Sequence, residues 1–121
     1  MKICITSEGK TLDSKVDQRF GRCRYFLLID TATSEIELIE NIHIQFASGA
    51  GVQSGQFLAS KGVEAVITGN VGPSAYATLT VPGIKIYTGV SGFVKEALED
   101  FKAGKLKATE SPSVGKKSGI S

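Results

Sequence analysis

Ala65-Val66-Ile67-Thr68-Gly69-Asn70-Val71-Gly72-Pro73 is the stretch that decides the fold. Its first four residues read as a short β-branched strand. Two glycines then frame a turn, and Pro73 falls at the first position of a helix, where its fixed φ is helical and its missing N–H removes nothing. Val81-Pro82-Gly83 stops that helix, and Ile84–Tyr87 reads as the next strand. Two strands joined by a helix lie parallel with a right-handed crossover. The pattern predicts an α/β protein.

Working outward, the front of the chain offers three more strands, at Lys2–Thr6, Tyr25–Asp30 and Glu35–Asn41. Thr31-Ala32-Thr33-Ser34 is a hairpin turn, so the second and third pair antiparallel, with Ile36 and Leu38 on one face and Glu35 and Glu37 on the other. Ser48-Gly49-Ala50-Gly51 opens a helix to about Lys61, with Gly62 at its C-cap. Towards the C-terminus, Ser91 is read as the cap of a helix whose apolar positions Val94, Ala97, Leu98 and Phe101 follow the helical period and which Gly104 ends. The order β-β-β-α-β-α-β-α predicts a five-stranded mixed sheet flanked by helices.

The 121 residues make one domain, expected over residues 1–104, with a disordered basic tail at 105–121. Four of the tail's residues are lysines against the single Glu110, a net +3, so the formal +2 of the whole chain leaves −1 on residues 1–103. A near-neutral body lacks the basic stripe that nucleic acid requires. No apolar run approaches membrane-spanning length. Cys4 and Cys23 form no CxxC or metal-finger spacing, and with no secretory signal they read as reduced thiols in a cytoplasmic protein.

All three arginines, Arg19, Arg22 and Arg24, lie within Asp17-Gln18-Arg19-Phe20-Gly21-Arg22-Cys23-Arg24-Tyr25. Planar guanidinium groups suit an anion better than scattered lysines do. Pairing with Asp13, Asp17 or Glu8 competes with that role; at least one arginine is expected to be such a structural partner and the others to face the crevice. In a sheet of this type ligands sit beyond the carboxyl ends of the parallel strands. The arginine loop, Gly69–Ser74 and Thr88–Gly92 all leave those ends and are expected to converge. Gly69, Asn70, Gly72 and Ser74 stand at a strand-to-helix junction, and Ser48, Gly49 and Gly51 at another, where free N–H groups favour negative charge. Neither is a Walker A or GxGxxG loop. Cys23, between two arginines, is expected to have a lowered pKa and, with His43, is a candidate metal ligand; plain packing is the commoner reading of both. No paired carboxylates and no nucleophile motif point to an enzyme.

Val16-Asp17-Gln18-Arg19-Phe20-Gly21-Arg22, Gly69-Asn70-Val71-Gly72-Pro73, Asp30, Glu40-Asn41, Gly49-Ala50-Gly51, Gly62-Val63 and Ile84-Lys85-Ile86-Tyr87 together resemble the dinitrogenase iron–molybdenum cofactor biosynthesis family over roughly residues 1–105. The resemblance implies a ribonuclease H-like mixed α/β fold without nuclease activity. It also implies a non-enzymatic carrier or assembly role for a molybdenum-containing sulfide cluster (Mo–Cu or Fe–Mo type), with a protein partner in assembly or transfer. Small stand-alone relatives, the orange proteins, hold Mo–Cu sulfide clusters without covalent attachment. Many members carry His-Phe-Gly where this chain has Arg19-Phe20-Gly21, and a guanidinium is no ordinary metal ligand. The expectation is therefore an anionic cluster held by charge through Arg19, Arg22, Arg24, backbone amides and Phe20. A phosphorylated metabolite or nucleotide is the alternative occupant of the same crevice.

Overall fold

A computed structural model describes residues 1–42 and 49–112. Within them the elements follow the expected order: β1 (Lys2–Ser7), β2 (Tyr25–Asp30), β3 (Ile36–Glu40), α1 (Ala50–Ser60), β4 (Ala65–Ile67), α2 (Pro73–Thr80), β5 (Lys85–Tyr87) and α3 (Val94–Lys102). The strands form one five-stranded sheet in the order β3-β2-β1-β4-β5. β1 pairs parallel with β4, and β4 with β5, while β2 runs antiparallel to both its neighbours. β1, β3, β4 and β5 therefore all point the same way, and α1, α2 and α3 all begin at one end of the sheet.

Alternation along the strands divides the core into two layers. Cys4, Phe26, Leu28, Val66 and Ile86 face α1 and α2, where Leu58, Ala75 and Leu79 meet them. Ile3, Ile5, Leu27, Ile29 and Ile67 face the other way, against Val94 and Ala97 of α3. Between β2 and β3 the chain turns at Asp30, whose side chain accepts the Ala32 N–H (2.9 Å) and whose carbonyl accepts that of Ser34 (2.7 Å). On β3 it is Ile39, not Ile36 or Leu38, that packs on the core; the latter two are 46% and 43% exposed.

Two expectations need correction. The N-cap of α3 is Phe93, not Ser91. Backbone carbonyls of the loop after β1 do the capping: Ser14 accepts the Val94 N–H (2.8 Å) and Leu12 that of Lys95 (2.9 Å). The Glu96 carboxylate completes the cap by accepting the Phe93 N–H (3.3 Å), so Ser91 is not needed for it. The stretch expected as disordered from residue 105 stays on the fold as far as Thr109. Leu106 packs on the α3-side core, and the Thr109 N–H donates to the Ile86 carbonyl (2.6 Å), covering the β5 edge. His43, Ser48 and the chain beyond 112 lie outside the described residues.

Candidate functional site

The arginine stretch is wound around two buried polar side chains. Asp17 is 3% exposed. One of its carboxylate oxygens accepts the Arg19 N–H (3.1 Å) and the other the Arg24 N–H (3.3 Å), so a single residue ties both ends of the loop. Asn41, equally buried at the end of β3, donates its amide to the carbonyls of Gly21 and Cys23 (2.9 Å each). Between these clamps the chain turns at Gly21, with φ of +88°. A Cβ there would lie 2.7 Å from the Gly51 Cα, so the loop rests directly on the first turn of α1.

The three loops expected to converge are hydrogen-bonded together. Phe20 donates its N–H to the Asn70 carbonyl (3.0 Å), and the Asn70 side chain donates to the Gln18 carbonyl (3.2 Å). The Gln18 amide reaches the Val90 carbonyl (2.9 Å), and Gly89 donates to Gly69 (2.8 Å). Gly69 packs so closely on Gln18 that a Cβ would fall 2.6 Å from the Gln18 Cα. Below them the hydroxyls of Thr6 and Thr68 meet at 2.8 Å, and Thr6 donates to the Asp17 carbonyl (2.7 Å).

Beside this junction lies a cavity of about 310 Å³, lined by Phe20, Arg22, Gly49–Val52 and Gly72–Ala75. α1 and α2 both aim their first turns into it. Neither N-cap, Gly49 or Gly72, offers a side-chain cap, and neither first turn holds an acidic residue. The first intrahelical bonds are Gln53 N–H to Gly49 and Tyr76 N–H to Gly72. The N–H groups of Gly51, Val52, Ser74 and Ala75 consequently have no acceptor inside their helices. Two helix dipoles and the Arg22 guanidinium thus bring positive potential to one pocket. Phe20, 7% exposed and packed on Phe26 (6.1 Å between centroids), supplies an apolar wall.

Of the candidate residues, Phe20, Arg22, Gly49, Gly51, Gly72 and Ser74 share the cavity. Gly21 shapes it from behind, and Gly69 and Asn70 knit the loops rather than line it. The arginines separate. Arg19 stands exposed, with Nε 3.6 Å from Asp17, the structural partnership expected of one of them. Arg24 is exposed and outside the lining. Cys23 corrects a further expectation. It is fully buried, and desolvation first, then the Asp17 carboxylate, raise its pKa instead of lowering it. A neutral buried thiol neither reacts nor ligates readily. Among the described residues no group of three or more His, Cys, Asp or Glu side chains is placed to hold a metal ion. Sequence reasoning passed over Asp17 and Asn41 as organisers of the site; an acid and an amide beside a glycine-containing basic loop were the available signal.

A family model described as dinitrogenase iron–molybdenum cofactor matches residues 1–104. The chain is 33% identical over 113 residues to an uncharacterized protein of Methanocaldococcus jannaschii, covering 91% of this chain and 92% of that one. The apo form of the orange protein from Desulfovibrio gigas superposes with a TM-score of 0.89 at 36% identity, covering 93% and 95% of the two chains. A NifB-like protein from Thermotoga gives 0.78 at 42% identity, covering 88% and 91%.

Proposed function

We propose that this chain, which belongs to the dinitrogenase iron–molybdenum cofactor family, carries an anionic molybdenum-containing metal–sulfur cluster in the cavity between the arginine loop and the starts of α1 and α2. The family and the likeness to the orange protein support a cofactor-related binding role. The observation that carries the electrostatic form of the reading is the meeting of two uncapped helix starts with Arg22 in one cavity. That donor set suits a polyanion, since N–H groups and a guanidinium donate and none can coordinate a bare cation. The cluster is cargo, of Mo–Cu or Fe–Mo type, held without a covalent bond. The role is non-enzymatic. Phe20 shields one side of the cargo while the helix starts and Arg22 balance its charge.

Tetrathiomolybdate with copper, added to the apo chain, should give a coloured complex whose affinity falls as salt rises. Arg22→Ala should weaken it about 10- to 100-fold, as expected for a charge-assisted hydrogen bond. Arg19→Ala, whose guanidinium is not part of the lining, should change it less than about threefold. Equal affinity in wild type and Arg22→Ala, insensitive to salt, would refute the electrostatic reading. Thermal stabilisation by nucleotides and not by thiomolybdate would assign the cavity to a phosphorylated ligand.

A further inference from the structure

The two edges of the sheet are treated differently. At β5 the chain after α3 folds back and bonds the edge, with Thr109 donating to Ile86 and accepting from the Thr88 N–H (3.0 Å). β3, at the other edge, has no such cover among the described residues. Its inward-facing groups are fixed by two bonds to β2: the Glu35 carbonyl accepts from Asp30 (2.9 Å), and the Asn41 N–H donates to Arg24 (3.0 Å). In an antiparallel ladder the direction alternates. Ile36, Leu38 and Glu40 therefore turn their N–H and C=O groups outward.

The same residues carry exposed apolar side chains. Ile36 and Leu38 share the face of Leu27 and Ile29, but α3 packs over β1 and leaves them 46% and 43% exposed. The charges along this edge are carboxylates. Glu35, Glu37 and Glu40 are all exposed, and among the described residues only Glu37 has a cation, Lys61 at 3.0 Å. Natural sheets blunt open edges with lysine, proline, bulges or a covering segment. This edge instead combines outward backbone groups, an aliphatic pair and one sign of charge.

We propose that β3 is a docking edge for an extended strand of a partner protein in which lysine or arginine alternates with aliphatic residues. Such a strand would extend the sheet by backbone pairing, set its aliphatic residues beside Ile36 and Leu38, and place its cations on the opposite face, against Glu35 and Glu37. A second copy of this chain fits less well, because β3 against β3 would gather three glutamates from each copy with no cation from either strand. One added strand of this length buries little area, so the contact is transient. β3 leads directly into Asn41, which clamps the arginine loop, so one end of a strand docked along β3 comes close to that loop.

The test is a titration of the ¹⁵N-labelled full chain with a ten-residue peptide of alternating lysine and valine, against a control peptide of alternating glutamate and valine. The lysine peptide should shift the amides of residues 36, 38 and 40 and slow their hydrogen exchange, while the glutamate peptide leaves them unmoved. Leu38→Pro, which deletes one outward N–H at an edge position that tolerates proline, should abolish the effect. Glu35→Gln with Glu37→Gln, both surface changes, should weaken the peptide about fivefold. Equal response to both peptides, or shifts that spare β3, would overturn the proposal. So would concentration-dependent β3 shifts without peptide, which assign the edge to a second copy, or β3 shifts on deleting residues 113–121, which assign it to the chain's own tail.

Discussion

Replacing Gly21 with alanine tests whether the arginine loop is seated on α1. Two costs can be read from the structure. Gly21 has φ of +88°, and an L-residue held in the left-handed region costs about 1–2 kcal/mol. The new Cβ would stand 2.7 Å from the Gly51 Cα and 2.9 Å from its nitrogen, whereas carbon atoms prefer about 3.5–4.0 Å. The loop must therefore lift by roughly 1 Å from the helix. It cannot do so freely, because Asn41 holds the carbonyls on either side of Arg22 and Asn70 holds the Phe20 N–H. Overpacking of this kind adds about 1–3 kcal/mol, for a total of about 2–5. Gly62→Ala isolates the first cost, since Gly62 has φ of +78° and nothing lies within 4 Å of the point where its methyl would stand. Urea unfolding followed by far-UV circular dichroism should place Gly21→Ala about 1–3 kcal/mol below Gly62→Ala at unchanged m-value. Thiomolybdate binding should suffer only in the Gly21 variant. Stabilities within about 0.5 kcal/mol of each other would show that the loop is not held against α1, and the cavity would lose one wall.

Asn41→Ala should lose about 2–4 kcal/mol in the same unfolding assay, because it strips donors from two buried carbonyls and leaves them without partners. Ser54→Ala should be neutral or stabilising by up to about 1 kcal/mol, since its fully buried hydroxyl has no hydrogen-bond partner among the described residues. Burial raises the pKa of Cys4, and burial with the Asp17 carboxylate raises that of Cys23, so the folded chain keeps protons that the unfolded chain gives up above about pH 8.5. The thiols' contribution should be flat below that pH and fall above it by about 1.4 kcal/mol per pH unit for each thiol, and Cys23→Ala, which leaves Cys4, should roughly halve the slope. Neither cysteine should react with iodoacetamide at pH 8 until denaturant is added; rapid labelling of native protein at Cys23 would contradict the burial that raises it.

What the sequence made legible was whatever depends on neighbours along the chain. The strand at Ala65, the Gly72-Pro73 helix start and the 31–34 turn are written in local residue chemistry, and each formed where it was expected. The starts of α1 and α2 could be placed by their glycines for the same reason. Misreadings arose where a distant segment supplies the decisive interaction. Ser91 has the chemistry of a cap, yet α3 begins later because the carbonyls of Leu12 and Ser14 already satisfy its first turn. Cys23 has an arginine on each side, but charge in adjacent residues does not settle a thiol's environment when the chain turns it into the core beside Asp17.

The three arginines show the same limit most sharply. Their spacing identifies a basic loop, and nothing in that spacing says which guanidinium meets the cavity. The choice is made by the left-handed turn at Gly21, which carries Arg22 over the α1 start while Asp17 keeps Arg19 on the outer side. The family resemblance alone would make position 19 a candidate ligand site. Its geometry gives it to the loop's own carboxylate instead. The positive field of the cavity then rests on Arg22 and on two helix starts whose contribution is backbone and carries no side-chain signature at all. A cavity built this way is read from a sequence only when the order of strands is known, because the sheet topology alone brings α1 and α2 to the same end.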